Sequence, residues 1–340
     1  MESKTQTGTD HRLLTVAIPT YNRAELLDRQ VAWLATALRG YEDVCEVLIS
    51  DNHSTDATPE VIDRWRPKFE RTSFRVSRHA RNIGAVRNIA SCIENATARH
   101  VWVISDDDPI APGTVGYVVQ SLDECPNLGL LNLNYSMRRV ATGELLRARC
   151  YSFREDEVHR PGRRAFEQCL SEDIFGVATT TAQVYETDLA RRAISEWPDG
   201  LDNLAVQIYW SGYCALRGSM KVTADAHLEC AIGAHYFSGN PLLKFRLRFT
   251  DMAEVAERLE ILGYSRRACN DIVVRQVGSL PANARTIAGA AADQPFDTAR
   301  ALKSWLGSLS RAGWREVAGY VLKAMRRRLA HAARRAKTRG

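Results

Sequence analysis

Three adjacent carboxylates, Asp106–Asp108, are the residues of this chain best suited to chemistry. They follow a short apolar run, residues 100–104, which predicts a buried strand because it is brief, partly β-branched and bounded by Pro109. Acidic side chains this close repel one another and favour a compensating cation. Oxygen ligands suit Mg²⁺ or Mn²⁺, and such ions commonly carry phosphates. The working hypothesis is a site for a divalent metal and a sugar nucleotide. The alternative is a solvated acidic turn that caps the next helix.

The segments around these carboxylates alternate between strand and helix patterns. Apolar runs predict strands at residues 13–18, 46–50, 74–77, 100–104 and 128–135, with helices at 24–38, 58–69, 85–96 and 113–122. This alternation implies right-handed βαβ units and an α/β fold with a mainly parallel, Rossmann-like sheet flanked by helices. After residue 241 the pattern predicts helices only.

Polar groups follow each of the first four predicted strands directly. In order along the chain they are Thr20 with Tyr21, Asp51, Asn82 with Gly84, and Asp106–Asp108. Ligands of parallel sheets bind outside the carboxyl ends of the strands. We therefore expect the four groups to meet at one edge of the sheet.

Composition and missing motifs exclude several classes of protein. The 340 residues are 45% hydrophobic and 25% charged, as in soluble globular proteins. No apolar run approaches the roughly 20 residues that span a bilayer. The polar N-terminus lacks a signal segment, so a cytoplasmic protein is expected. The eight cysteines include no Cys-x-x-Cys pair, which argues against a zinc ribbon. Neither a dinucleotide-binding Gly-x-Gly-x-x-Gly nor a P-loop sequence follows the first strand.

The positive charge is concentrated at the C-terminal end. Residues 311–340 contain ten Lys or Arg and one acid, a net charge of +9, whereas the whole chain carries +6 and the rest therefore −3. Apolar residues recur at helical spacing in this tail, at Trp314, Val317, Val321, Met325 and Leu329. A basic amphipathic helix predicts binding to an anionic membrane surface through residues 311–340. The alternative is a solvated helix packed on its own domain.

Four motifs, in this order and at this spacing, resemble glycosyltransferase family 2, which has the GT-A fold. The motifs are residues 17–23, 49–56, 81–88 and 105–108, and the second and fourth are similar to the branch that contains abequosyltransferases of bacterial O-antigen synthesis. The resemblance is good over residues 13–137 and fades through 239. Together with the chain pattern it implies a flexible N-terminus (1–12), a GT-A domain (13–240) and a helical C-terminal region (241–340) that ends in the basic amphipathic helix.

The resemblance implies roles for the motif residues. Tyr21 would stack on a nucleobase beside Thr20, and Asp51 would accept a hydrogen bond from a uracil or thymine ring N–H. Asp107 is the first candidate metal ligand and Asp108 the second. Ser105 stands where the family often has the first Asp of Asp-x-Asp, which leaves the division of roles among the three acids open. The nucleotide-sugar-binding candidates are Pro19, Thr20, Tyr21, Arg23, Asp51, Asn82, Gly84, Asn88 and Asp106, the last facing the ribose. Each has a structural alternative as a turn, cap or packing residue.

The implied reaction is inverting transfer of a sugar from a UDP- or dTDP-sugar to a hydroxyl of a glycan or lipid-linked acceptor. A carboxylate must take the proton of that hydroxyl. Asp202 is the first candidate for this base and Asp199 the second, and a helix N-cap is the alternative role for Asp202. His227 and His235 are candidates for a late metal contact, although a lone histidine is more often structural.

Two other functions compete with this one. A nucleotidyltransferase also joins a parallel sheet to metal-bound phosphates, but it generally needs a glycine-rich, lysine-bearing loop that is absent after the first strand. A nucleic-acid-binding protein would use the basic tail. The remainder of the chain is close to neutral and carries the acidic cluster, so no nucleic-acid partner is expected.

Overall fold

A computed structural model describes residues 12–232, 240–277, 288–289, 295–313 and 317–322. Within these ranges a nine-stranded sheet has the order β3-β2-β1-β4-β8-β5-β9-β7, and β6 pairs with β5. The strands are β1 Leu14–Thr20, β2 Cys45–Asp51, β3 Ser73–Arg78, β4 His100–Val103, β5 Leu128–Arg139, β6 Leu145–Arg147, β7 Glu157–His159, β8 Gln183–Glu186 and β9 Ser219–Ile232.

Helices cover the sheet, as the periodic apolar residues predict. Those described are α1 Ala24–Ala37, α2 Thr58–Trp65, α3 Ala85–Asn95, α4 Thr114–Glu124, α5 Arg163–Glu172, α6 Thr187–Glu196, α7 Val206–Arg217, α8 Pro241–Arg246, α9 Met252–Leu262, α10 Arg266–Val274 and α11 Pro295–Ala312. In helix α1, for example, the regularly spaced apolar residues Leu27, Val31 and Leu34 lie on one face and are buried. All five predicted strands and the four predicted helices between them are present.

The first four strands are parallel, and their register brings the strand ends together. Thr20 pairs with Asp51, and Asp51 pairs with Arg78. On the other side of β1, Ala17 pairs with Val103, and the Ile104 N–H continues this edge by donating to the Ala17 carbonyl at 2.9 Å. The expected convergence of four strand ends at one edge is therefore observed.

Beyond β4 the sheet is mixed. Strand β8 runs antiparallel to both β4 and β5, β5 and β9 are parallel, and β7 is antiparallel to β9. The α/β GT-A architecture is as expected, but the parallel character is confined to the β3-β2-β1-β4 part and the β5–β9 pair. Strands β6 to β9 were absent from the sequence prediction. Strands β6, β7 and β8 are only three or four residues long. In β9 the buried Lys221 interrupts the apolar pattern that would mark a strand.

The C-terminal helices pack on α7, which is buried along most of its length. A Cβ at Gly212 of α7 would lie 2.6 Å from Leu259 of α9, so glycine permits their close approach. The Tyr264 hydroxyl also donates to the Gly212 carbonyl at 2.6 Å. Among the described residues no helix has both the length and the apolar character to cross a membrane. Of the predicted tail stripe, Val317 and Val321 are described, whereas Trp314, Met325 and Leu329 lie outside the described residues.

Candidate active site

The acidic loop, Ser105–Asp108, leaves β4 at the edge where the strand ends meet. Asp106 is 4% exposed and accepts hydrogen bonds from the Thr20 hydroxyl at 2.9 Å and from Arg23 Nη1 at 2.6 Å. The same Nη1 lies 2.9 Å from Asp107 Oδ2. The guanidinium of Arg23 therefore bridges two of the three carboxylates and partly neutralises them.

The other contacts point the three carboxylates in different directions. Asp107 accepts a hydrogen bond from the Ser105 hydroxyl, and its side chain remains 28% exposed. Asp108 accepts one from the Thr181 hydroxyl at 2.5 Å. Asp106 faces inward to β1 and is nearly buried, whereas the Asp107 side chain is partly exposed.

The pKa values reflect this crowding. Burial raises the pKa of Asp106 above its ordinary value, although Arg23 opposes the rise. Burial raises the pKa of Asp108 to about 6, the Thr181 hydrogen bond lowers it, and the charges of Asp107 and Asp106 raise it further. Burial lowers the pKa of Arg23, but the two carboxylates outweigh it and the net direction is upward. Added positive charge at this edge would favour the ionised carboxylates.

The acidic loop fits a divalent cation that shares its coordination with a phosphate ligand. In the described ranges no three His, Cys, Asp or Glu side chains group so that they could hold a metal by themselves. Mg²⁺ usually keeps only one or two carboxylates and completes its shell with substrate phosphates and water. Asp107 and Asp108 supply two carboxylates of this kind, whereas Asp106 is held by Thr20 and Arg23.

Asp51, at the end of β2, has an acceptor atom without a hydrogen-bond donor. Its Oδ1 accepts the Ser54 N–H at 2.8 Å. Among the described residues its Oδ2 has no hydrogen-bond partner, although Arg78 Nε is 3.4 Å away, an ion-pair distance without hydrogen-bond geometry. The residue is 1% exposed. The Tyr21 side chain at the end of β1 is 41% exposed.

The turn at Asn82–Gly84 is held by Asn52, a residue that the sequence reading did not single out. Asn52 Nδ2 donates to Asn82 Oδ1 at 2.9 Å, and Asn52 Oδ1 accepts the Ile83 N–H at 2.8 Å. Gly84 has φ +90°, a conformation that favours glycine, and α3 begins directly after it. The turn is thereby fixed with its backbone exposed at the sheet edge.

Two further predicted nucleotide-sugar-binding residues, Asn88 and Pro19, both lie beside Ser50 of β2. Asn88 is 3% exposed, accepts the Ser50 hydroxyl at 2.7 Å and donates to the Ser50 carbonyl at 3.1 Å, so it joins α3 to β2. Pro19 lies in β1, opposite Ser50 in the register.

The candidate bases lie on a 3-10 turn, Pro198–Asp202, that packs beside α3. Asp202 is 73% exposed and accepts a hydrogen bond from Arg87 Nη2 at 2.9 Å. Asp199 is exposed on the same turn. Because Arg87 lies in the first turn of α3, directly after Gly84, Asp202 is attached to the same edge as the predicted nucleotide site.

The structure gives His227 a packing role. Its ring lies 4.3 Å from that of Tyr117, and burial lowers its pKa. Its carbonyl accepts the Ala111 N–H at 2.8 Å. These contacts connect β9 to α4 and to the segment that precedes it. The other candidate, His235, lies outside the described residues.

The fold and this edge define a GT-A protein, and comparisons with solved structures agree. The structure of S. aureus TarS 1–349 in complex with UDP-GlcNAc matches with a TM-score of 0.59 at 19% identity, over 90% of this chain and 82% of that one. The mannosyltransferase PcManGT from Pyrobaculum calidifontis, in complex with GDP-Man and Mn²⁺, matches with a TM-score of 0.55 at 16% identity, over 88% and 86%. At these identities the likeness establishes the fold.

Sequence comparison identifies the family of the N-terminal part. Residues 15–158 match Glycosyl transferase family 2, which confirms the resemblance read from the motifs. The abequosyltransferase RfbV of Salmonella typhimurium is 33% identical over 113 residues, which supports the abequosyltransferase-like placement. That match spans 33% of this chain and 33% of the relative.

The position of the Arg23 guanidinium between Asp106 and Asp107 leads to a prediction about stability. We expect Arg23→Gln to lower the free energy of unfolding by about 1–3 kcal/mol, because Asp106 and Asp107 lose their counter-charge while Arg23 itself is partly solvated. Millimolar Mn²⁺ should restore stability to this variant more than it stabilises the wild type. Thermal unfolding with and without Mn²⁺ measures both effects.

The control for this prediction is Arg64→Gln, which removes an exposed ion pair with Asp28 (2.7 Å) outside the acidic loop. It should change stability little and leave the Mn²⁺ response unchanged. Equal behaviour of the two variants would contradict a special role for Arg23.

Proposed function

We propose that the chain is an inverting, metal-dependent glycosyltransferase that moves a sugar from a UDP- or dTDP-sugar to an acceptor hydroxyl. The observation that carries this proposal is the shared edge of the parallel strands. There Thr20, Arg23 and Asp106 are in direct contact, with Asp51 on the neighbouring strand end. The family 2 match and the neighbour with bound UDP-GlcNAc support the general activity.

The choice of nucleobase rests on Asp51. A carboxylate oxygen without a donor, in a nearly buried residue, suits a base that presents a ring N–H. Uracil and thymine present one between two carbonyls. The exposed ring of Tyr21 supplies an apolar face beside it. The solved neighbours carry different nucleotides, a uridine and a guanosine diphosphate sugar, so this assignment has to be measured.

On the diphosphate side, Asp107 and Asp108 would hold Mg²⁺ or Mn²⁺. When bound, such a cation neutralises the charge that develops on the leaving diphosphate. Arg23 contributes a permanent positive charge at the same place and opposes the rise that burial causes in the pKa of Asp106. The Asn82–Gly84 turn offers backbone that can approach the nucleotide closely.

The acceptor hydroxyl loses its proton to Asp202 in this proposal. The residue is exposed, carries a charge stabilised by Arg87, and lies on a turn attached to α3. The acceptor itself would be a glycan or a lipid-linked sugar, and the family relative named above is an abequosyltransferase.

A panel of UDP-, dTDP-, GDP- and CDP-sugars tests the proposed donor. Ligands that bind the folded state raise its stability, by about 2.7 kcal/mol at a concentration 100 times the Kd. We expect the largest thermal shift with a UDP- or dTDP-sugar, and a larger one when Mn²⁺ is present. No shift with any member, with or without Mn²⁺, would overturn the proposal.

The matched variants in this panel are Asp107→Asn and Asp123→Asn. The first should fold normally but lose both the Mn²⁺-dependent part of the shift and turnover. The second changes an exposed carboxylate on α4 and should behave as wild type. Full activity of Asp107→Asn would remove that residue from the mechanism.

Replacing each candidate carboxylate by its amide tests which of Asp202 and Asp199 is the general base. Asp202→Asn should lower kcat by about 100-fold or more, the usual contribution of a general base, and leave the KM for the donor unchanged. Asp199→Asn on the same turn serves as the control and should retain activity. Release of the nucleoside diphosphate, with water as a slow acceptor, is the measurement. The reverse pattern would assign the base to Asp199.

A lipid-linked acceptor would explain the basic tail. We expect the full chain to sediment with anionic vesicles and not with neutral ones, since juxtaposed Lys and Arg are attracted to anionic headgroups. A variant with Arg326, Arg327 and Arg328 changed to Gln should bind less. If the variant and the wild type sediment equally, the tail does not direct membrane binding.

A further inference from the structure

The acidic loop depends on support from a distant part of the chain. It follows β4, pairs with no strand in the part of the chain that the structure describes, and carries three mutually repelling carboxylates. The Ser105 N–H donates to the Thr181 hydroxyl oxygen at 2.9 Å. The same hydroxyl donates to Asp108 Oδ2 at 2.5 Å. One hydroxyl group thus holds the first and the last residue of the loop.

Thr181 is itself rigidly placed. It is 0% exposed, and its carbonyl accepts the Trp102 indole N–H at 2.8 Å. Trp102 is fully buried in β4. Thr181 also lies in a short 3-10 turn, Thr180–Ala182, that leads directly into β8. Its backbone and side chain are therefore both attached to β4 and the loop that follows it.

The antiparallel pairing of β8 with β4 explains why this contact exists. Trp102 pairs with Val184, so the beginning of β8 lies beside the end of β4. A residue that precedes an antiparallel strand therefore reaches the same edge as residues that follow the parallel strands. Thr181 and Asp108 are 73 residues apart along the chain, so the sequence alone does not reveal their contact.

We propose that Thr181 is a positioning residue of the donor site, which holds the acidic loop in the conformation that receives the cation and diphosphate of the donor. This inference rests on the proposed function. With Oδ2 of Asp108 engaged by Thr181, the orientation of that carboxylate is fixed before any ligand arrives. Hydrogen-bond partners of metal-binding carboxylates orient them in this way, and their loss typically weakens metal affinity.

A second threonine provides a matched control. Thr15 is also 0% exposed, its hydroxyl accepts the Ala98 N–H at 3.1 Å and donates to Glu46 Oε1 at 2.6 Å. The chemistry is the same as at Thr181: one backbone donor and one carboxylate acceptor. Thr15 lies at the opposite, N-terminal end of β1, away from the acidic loop. A change there tests the general cost of losing such a buried hydroxyl.

The experiment compares Thr181→Val, Thr181→Ser and Thr15→Val by calorimetric titration with UDP, in the presence and absence of Mn²⁺. We expect Thr181→Val to reduce the Mn²⁺-dependent UDP affinity by about 10- to 100-fold, the usual effect of losing a partner of a metal ligand. UDP affinity without Mn²⁺ should be unchanged. Thr181→Ser, which keeps the hydroxyl, should bind as wild type, and so should Thr15→Val.

The outcomes separate this inference from the proposed function. If wild type binds UDP more tightly with Mn²⁺ but Thr181→Val does the same, or loses affinity equally in both conditions, Thr181 has only a structural role. An equal loss in Thr15→Val would also overturn the inference. Failure of the wild type to bind UDP under both conditions would instead contradict the uridine form of the proposed function, and the inference with it. Should the valine variant not fold, Thr181→Cys replaces the hydroxyl with a thiol, a weaker donor, and should show a partial loss of the same kind.

Discussion

The ion pair between Arg23 and the carboxylates of Asp106 and Asp107 is the interaction on which the candidate site depends. Three consecutive carboxylates at the end of a buried strand would repel one another without a nearby positive charge. That charge comes from the segment after β1, and it reaches the acidic loop only because β1 and β4 are adjacent and parallel. The register of two strands thus determines whether the acidic loop can exist in this form.

The edge is divided into two chemically different halves. On the side of β2 and β3, Asp51, Asn52 and the Asn82–Gly84 turn offer neutral or singly charged polar groups that suit a nucleobase. On the side of β4 and β8, the acidic loop concentrates negative charge and suits a cation. The two halves meet at Thr20, which pairs with Asp51 in the register and donates its hydroxyl to Asp106.

The sequence predicted the parts of this arrangement that are local. Strands β1 to β5, the polar residues that follow the first four, and the family motifs are all readable from short windows. It could not predict Thr181 or Asn52 as supports, because their partners are 73 and 30 residues away along the chain, even though Asn52 lies within the second motif. It also could not show that the three adjacent carboxylates point in different directions, since that depends on the donors each one meets. Strand β8 is too short to be predicted from its sequence, so the turn before it, which carries Thr181, could not be placed beside the acidic loop.

The attachment of the turn that carries Asp202 extends the site into the C-terminal helices. Next to that residue, Asn203 Nδ2 donates to the Asp251 carbonyl at 3.1 Å and to Glu254 at 3.0 Å, and the Leu204 N–H donates to Asp251 Oδ2 at 2.9 Å. These hydrogen bonds join the segment directly after the turn to the start of α9. An external load on α9, such as a bulky acceptor or a surface, would therefore reach the candidate base through only a few hydrogen bonds.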